Sequence, residues 1–420
     1  MNPPTVTDLA GPVRRAAHAP GRLRTALGMA GPAFVAAVAY IDPGNVATNT
    51  AAGARYGYLL LWVLVLANAT AMLIQYLSAK LGIATGCNLP ELCRREYPRP
   101  VRLCLWVQAE LVVIMTDLAE IIGGAVALNL LFGLPLVAGG LATGAGLLAV
   151  LALRLRGRDA FPAVTIGLLA VVFLAFGYLA LRLPVAHAGF LAGLVPRFGD
   201  RASVLLAAGI VGATVMPHAI YLHSALTQGL PGPGEWRSRF RALRVTRWDV
   251  AVAMTLAGVV NVAIMVAGTA LPVTAGRSLA DAHASFTALS GQATGVVFGL
   301  GLLASGLASS CVGVYTGQVV MQGFLRRGVP LGLRRAVSML PPLVLLAFGL
   351  EPTVALVLSQ VVLSFGIPFA LVPLVLLTRR RDVMGPLVNR RATTVCAVVA
   401  TGFVVALNVC LLVILFTGGG

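Results

Sequence analysis

Long apolar runs recur along the whole chain, separated by short clusters rich in arginine, glycine and proline. A helix that crosses a bilayer needs about 20 predominantly apolar residues. Eleven segments meet that requirement, at approximately 26–53, 57–84, 101–132, 134–153, 160–181, 202–229, 249–273, 290–325, 335–350, 352–378 and 392–416. The eighth is long and the ninth short, so part of each is expected outside the bilayer. The longest polar connection, about 229–248, opens with Pro231-Gly232-Pro233-Gly234 and reads as a linker rather than a domain.

The charges between the segments predict an orientation. Basic residues collect in the cytoplasmic loops of membrane proteins. With the N-terminus placed in the cytoplasm, the tail and the five loops on its side hold 26 of the 31 Lys+Arg residues. The other side receives only Arg55, Arg182, Arg197, Arg201 and Arg277. The bias alternates through every loop, which predicts eleven spans, a cytoplasmic N-terminus and an extracytoplasmic C-terminus in a multi-pass cell-membrane protein.

Composition agrees. Of the 420 residues 58% are hydrophobic and 11% charged, with a mean hydropathy of +0.91. Soluble domains carry about 25% charged residues. Disorder, coiled coil and collagen are excluded by the same figures. The net charge of +17 would suggest nucleic acid as a partner in a soluble protein, but the cytoplasmic loops account for it here. Residues 1–24 hold four prolines and four arginines without an apolar core, so they read as a cytoplasmic tail (1–25) and not as a cleavable signal peptide. Cys87, Cys93, Cys104, Cys311, Cys396 and Cys410 form no CxxC pair and are expected to be small buried hydrophobes.

Two spans carry their own interruption. The first contains Ile41-Asp42-Pro43-Gly44-Asn45 and the sixth Ala213-Thr214-Val215-Met216-Pro217-His218. Proline removes a backbone donor and clashes with the preceding turn, and Gly44 frees the backbone further. Unwound backbone at membrane depth is tolerated only where it lines a cavity or is buried in protein. Each break sits in the first helix of a five-helix block, 26–181 and 202–378, with 392–416 left over. Five is odd, so the second block runs inverted relative to the first. Paired interruptions at corresponding places in two halves point to a transporter's central site.

The residues at the breaks suggest what the site holds. Asp42 and Asn45 offer hard oxygens, the unwound turn exposes the Ala213 carbonyl, and Met216 offers a thioether. A soft ligand among hard oxygens favours ions such as Mn²⁺ and Fe²⁺ over Mg²⁺ and Ca²⁺. Gln360, midway along the tenth span, is the best candidate to join that shell.

Other polar residues lie deep in apolar segments. Glu110, Asp117 and Glu120 share the third span at spacings of seven and three, which places them on one face. Chains of acidic and histidine residues in membranes relay protons. Static ion pairs with Arg334 or Arg335 are the plainer reading, and the two overlap. His218 is expected to act in proton transfer or gating. His223, five residues on, is expected to bond a neighbouring helix. Asn261 and Gln318 suit interhelical hydrogen bonds.

Taken together these motifs resemble one family. Asp42-Pro43-Gly44-Asn45, Thr116-Asp117-Leu118-Ala119-Glu120, Met216-Pro217-His218, Leu222-His223-Ser224 and Gly317-Gln318-Val319-Val320-Met321 with Gly323-Phe324 are similar, in order and spacing, to the Nramp family of proton-coupled divalent-metal transporters. The resemblance implies an all-α membrane fold of the LeuT type, with a five-plus-five inverted repeat and helices 1 and 6 broken. It implies metal binding by Asp42, Asn45, the Ala213 carbonyl and Met216, with Gln360 joining in some states. It implies proton acceptance by Asp42 and Asp117, with Glu110, Glu120, Arg334 and Arg335 in the exit network and His218 as a gating histidine. Pro43, Gly44, Pro217, His223, Asn261 and Gln318 fall with the breaks and gates. The chain departs from the family pattern at Ala219, Thr316 and Gln322. Relatives that carry Mg²⁺ or Al³⁺ lack the methionine, so Met216 argues against those branches.

The expected function is import of Mn²⁺ or Fe²⁺ with protons by alternating access. The metal is cargo, so no cofactor and no catalytic residue is expected. The partners are the metal ions, protons and the bilayer, without nucleic acid or an obligate protein. A sodium-coupled amino-acid or organic-substrate symporter on the same fold, and more remotely an intramembrane metalloenzyme using His218, His223 and Asp42, are the alternatives.

Overall fold

The structure, a computed structural model, describes residues 31–155, 160–184, 189–230, 236–326 and 328–417. The predicted tail 1–25 and the Pro231–Gly234 turn lie outside these residues. Among the described residues the chain is helical throughout, without strands. Helices α1 (Pro32–Ala39) and α2 (Pro43–Tyr56) make up the first span. They are followed by α3 (Leu61–Thr85), α4 (Leu89–Glu96), α5 (Arg99–Phe132), α6 (Leu136–Leu155) and α7 (Ala160–Arg182). The sixth span is α8 (Arg201–Thr214) and α9 (Pro217–Leu226). Then come α10 (Trp236–Thr269), α11 (Leu279–Ser290), α12 (Gln292–Leu325), α13 (Leu331–Ser338) and α14 (Leu340–Ala347). The chain ends with α15 (Pro352–Thr378), the single turn α16 (Arg381–Met384) and α17 (Arg391–Thr417).

Seven of these stretches are long and apolar enough to cross a membrane, counting α8 and α9 as one. Two shorter apolar helices, Leu136–Ala149 and Ile166–Arg182, and the split pairs α1–α2 and α13–α14 correspond to the other four predicted spans. The α8–α9 stretch is 94% buried and α17 only 28%, so the broken sixth span lies at the centre and the last helix at the rim. Around that centre α5 packs on α12 and α15, α8 on α15, and α10 on α2 and α3.

Both interruptions have the same local cause. Pro43 and Pro217 each sit at the first position of the second half-helix, where a missing N–H costs nothing. The residue before a proline is pushed out of the helical region. Asp42 is accordingly extended (φ −83°, ψ 168°), and so is Met216 (φ −75°, ψ 114°).

Several expectations need correction. The seventh span does not begin at 249: α10 starts at Trp236, so most of the expected linker is helix. Its first turns are rich in Arg, a good helix former that a hydropathy count overlooks. The short helices α4 and α11 were not expected. A reciprocal Asn88–Glu91 capping box starts α4, and the Ser278 side chain caps α11. The ninth span is two helices, parted at Met339 just ahead of Pro341. Cys87 and Cys93 are buried as expected, but Cys104, Cys396 and Cys410 are exposed. They lie on the outward faces of apolar helices, where the apolar medium is lipid rather than protein core. The side chain of Cys311 lies outside the described residues.

Candidate functional site

The two helix breaks meet. Pro217 has no N–H to offer the carbonyl four residues back, so the Ala213 oxygen lacks its helical donor. The Asn45 side-chain amide supplies one at 2.8 Å. The same Nδ2 donates to Asp42 Oδ1 at 2.8 Å, and the Asn45 backbone N–H donates to that oxygen at 2.8 Å. Asp42 is thus the cap of α2. Its second oxygen accepts from Gln360 Nε2 on α15 at 3.3 Å. Asp42, Asn45, Ala213, Met216 and Gln360 are all fully buried.

Backbone approaches made possible by glycine close the site. A Cβ on Gly44 would stand 1.9 Å from Gln360 Nε2, and one on Gly212 would stand 1.8 Å from the Gln360 carbonyl oxygen. Gln360 Oε1 is buried and accepts no hydrogen bond among the described residues. An unsatisfied buried acceptor carries a desolvation cost of about 1–3 kcal/mol, which a cation beside it would relieve.

The carbonyls at the end of α1 are capped from distant helices. Asn261 Nδ2 donates to the Tyr40 oxygen at 2.9 Å, and Ser305 Oγ to the Ile41 oxygen at 2.6 Å. Asn49 ties to Asn261 Oδ1 at 3.2 Å. His223 Nδ1 lies 2.7 Å from Gln75 Oε1, and Gln75 Nε2 donates to the Tyr40 hydroxyl at 2.5 Å. His223 therefore links α9 to α1 through α3, in keeping with the expected bond to a neighbouring helix.

The acidic stripe of α5 meets the two arginines of α13. Arg334 Nη2 pairs with Glu110 Oε2 at 2.7 Å in a half-buried position. Arg335 Nη1 bonds Asp117 directly, and its Nη2 lies 3.6 Å from Glu120 Oε2. Arg335, Asp117 and Glu120 are buried. Gly313 of α12 permits this, since a Cβ there would lie 3.0 Å from Glu120 Oε1. Gly317 does the same for Arg334, whose Nε would be 2.2 Å from an added Cβ. Gln318, next to it, is buried in α12.

Two contacts join the stripe to the breaks. His218 Nδ1 lies 3.2 Å from the hydroxyl of Thr116, the neighbour of Asp117. Pro43 packs against Gly123, one turn beyond Glu120, with 2.1 Å from an added Cβ to Pro43 Cβ. His218, His223 and Asp42 do not converge: among the described residues no three His, Cys, Asp or Glu side chains gather as a metal-holding group. Sequence reading missed Gln75 and Ser305 and gave Thr116 no role of its own. An amide or hydroxyl inside an apolar span was the available signal for each.

Buried broken helices with oxygen acceptors meeting between them, beside a paired acidic stripe, are the arrangement of a membrane transporter. Residues 33–414 match the family described as Nramp, natural resistance-associated macrophage protein-like. The chain belongs to the Nramp family. It is 50% identical over 403 residues to a divalent metal cation transporter of Mycobacterium tuberculosis, covering 94% of each chain. A manganese transporter of Eremococcus coleocola superposes with a TM-score of 0.84 at 29% identity, covering 96% of this chain and 90% of that one. A nucleobase-cation-symport-1 family transporter shares the fold at a TM-score of 0.56 and 15% identity, with 91% of each chain covered. The LeuT-type architecture expected from the sequence is therefore the fold of this multi-pass membrane protein.

Proposed function

We propose that the chain imports divalent transition-metal ions, Mn²⁺ or Fe²⁺, into the cytoplasm together with protons. The observation that carries this reading is the Asn45 amide, bonded at 2.8 Å both to Asp42 and to the Ala213 carbonyl, which sets hard oxygens from both breaks around one buried point. Met216, fully buried at the second break, adds the soft ligand, and Gln360 Oε1 adds an acceptor without a partner among the described residues. The relatives named as divalent metal cation and manganese transporters support the same cargo.

In this reading the metal is substrate and the protein keeps no resident cofactor. Metal arriving at Asp42 replaces the hydrogen bonds from Gln360 and Asn45 and favours release of any proton held there. Asp117, with Glu120, Glu110, Arg334 and Arg335, receives and passes that proton, and His218 gates the step through Thr116. The five-helix units 26–181 and 202–378 act as inverted repeats, and access alternates as α1–α2 and α8–α9 rock against the rest. The N-terminus is cytoplasmic and the C-terminus extracytoplasmic, on the strength of the arginine bias.

The test is Mn²⁺ uptake into proteoliposomes with internal pH followed at the same time, for wild type and Asp42→Ala. Metal entry with acidification, both lost in the variant, is expected. Entry without acidification would reduce the acidic stripe to a structural role. No entry by folded protein, with amino acids or other organic solutes taken up instead, would overturn the metal reading.

A further inference from the structure

The first three turns of α10 project well before the apolar part of that helix, and one side of them is exposed. Arg237, Arg241, Arg244 and Arg247 are all exposed. Trp236, Phe240 and Trp248 are exposed at 39%, 47% and 70%. At 100° per residue these seven positions fall within an arc of about 140° on one side of the helix. No acidic residue occurs between Trp236 and Trp248. Among the described residues none of the four arginines makes an ion pair.

Arg239 marks the contrast. It points away from that side, stacks on the Trp236 ring at 4.8 Å and donates to the Ala84 oxygen at 2.6 Å. The helix therefore uses its inward arginine to dock on α3 and keeps four arginines for the outside. The positive end of the helix dipole adds to their field.

What faces this surface follows from its continuation. Val252, Leu256 and Val259 are 49%, 40% and 51% exposed and continue from the Arg241 and Trp248 edge of that side as an apolar face. That face can only meet lipid tails in a membrane-embedded helix. Trp248, Arg247 and Arg244, about one to two turns earlier, then lie at headgroup depth, where tryptophan and arginine settle, and the rest of the stripe continues outward from them. Basic clusters beside a membrane span select anionic lipid.

We propose that the exposed arginine and aromatic stripe of α10, Trp236 to Trp248, is a binding site for anionic phospholipid headgroups. The phosphate and any further negative group sit among the four guanidinium groups, which can donate in bidentate fashion. The acyl chains run down the Val252 and Leu256 face. Zwitterionic lipid presents the same phosphate with a cancelling cation and is held less well.

The test uses the full chain. Purified protein is equilibrated with mixed phosphatidylglycerol and phosphatidylcholine vesicles, extracted, and the retained lipids are counted by native mass spectrometry. A basic residue at the surface is worth roughly fivefold in anionic-lipid affinity. Wild type should therefore prefer phosphatidylglycerol by at least about tenfold, even if only two arginines engage at once. The preference should fall to near parity in the fourfold variant R237Q/R241Q/R244Q/R247Q and survive in the matching fourfold lysine variant. Arg197→Gln with Arg277→Gln, at the other membrane face, should leave it intact. If the glutamine variant does not fold, salt decides on wild type alone, because high salt must release the phosphatidylglycerol. A folded glutamine variant with wild-type preference, a preference insensitive to salt, or full displacement of the lipid by inorganic phosphate would each overturn the proposal.

Discussion

Asn45 on α2 donates its side-chain amide to the Ala213 carbonyl of α8 across 168 residues, at 2.8 Å. One side chain thereby ties the two interrupted helices together and orients Asp42 at the same time. Asn45→Ala removes a donor from both partners in a buried place. The Ala213 carbonyl is then left unsatisfied, at a cost of about 1–3 kcal/mol, while Asp42 keeps the backbone N–H of residue 45. We expect folded protein with a lowered melting temperature and Mn²⁺ uptake reduced at least tenfold, roughly the kinetic counterpart of that energy. Uptake at the wild-type rate would show that the amide has no part in the site.

Met216 should govern selectivity more than rate. Met216→Ala keeps the oxygens of Asp42, Asn45 and Ala213 and deletes only the soft ligand. Competition by Ca²⁺ and Mg²⁺ against Mn²⁺ uptake is expected to rise, while Mn²⁺ uptake itself falls less. Equal loss for every ion in the competition series would contradict this.

Arg335 faces Asp117 and Glu120 in a buried position, so removing it leaves two carboxylates opposed to each other. Breaking a buried pair from one side costs about 3–5 kcal/mol. Arg335→Gln should be strongly destabilised, and Arg335→Gln with Asp117→Asn should recover much of the loss in a thermal unfolding cycle. The double variant should still move metal with reduced acidification of the vesicle interior. Additive destabilisation by the two changes would mean that the pair is not coupled.

Gly44 and Gly212 both approach Gln360, but they meet different atoms. An alanine at 44 would strike the end of the Gln360 side chain, which can turn away from Asp42. An alanine at 212 would strike the Gln360 backbone oxygen and force α8 and α15 apart. Gly44→Ala is therefore expected to fold and to bind metal more weakly. Gly212→Ala should lower the yield of monodisperse protein and the melting temperature. Size-exclusion profiles and thermal unfolding of the two variants would test that ranking.

Asp249 on α10 supplies the missing N-terminal cap of α1 from another helix, accepting from the Gly31 N–H at 3.4 Å and the Ala33 N–H at 3.2 Å. A lost cap costs about 1 kcal/mol. If α1 swings during transport, that contact must break each time. Asp249→Ala should make a cysteine introduced at Val35 of α1 react faster with a thiol reagent, with little change in overall stability. An unchanged labelling rate would place Asp249 outside the gating motion.

Much of this could be read along the chain because its causes are local. The breaks at 40–42 and 215–216 follow from Pro43 and Pro217, whose rings exclude the preceding residue from the helix whatever surrounds them. Eleven apolar segments follow from the length of the hydrocarbon core, and a thioether beside a break was visible as Met216. The facing of Glu110, Asp117 and Glu120 follows from helical spacing alone. Hydropathy failed where structure does not depend on apolar content, as in the arginine-rich first turns of α10 and the capped helix α4. It also could not separate a cysteine facing the core from one facing lipid, since both media are apolar.

What the sequence by itself determined was the set of backbone groups that would need partners: the Ala213 carbonyl deprived of its donor and the carbonyls at the end of α1. Which side chains would meet them was decided only in three dimensions. Asn45, Asn261 and Ser305 come from 168, 221 and 264 residues away, and the division of Arg334 to Glu110 and Arg335 to Asp117 spans a similar distance. A proline acts through the covalent chain, on its own turn. A hydrogen bond or ion pair acts through space, and these groups found their partners on other helices.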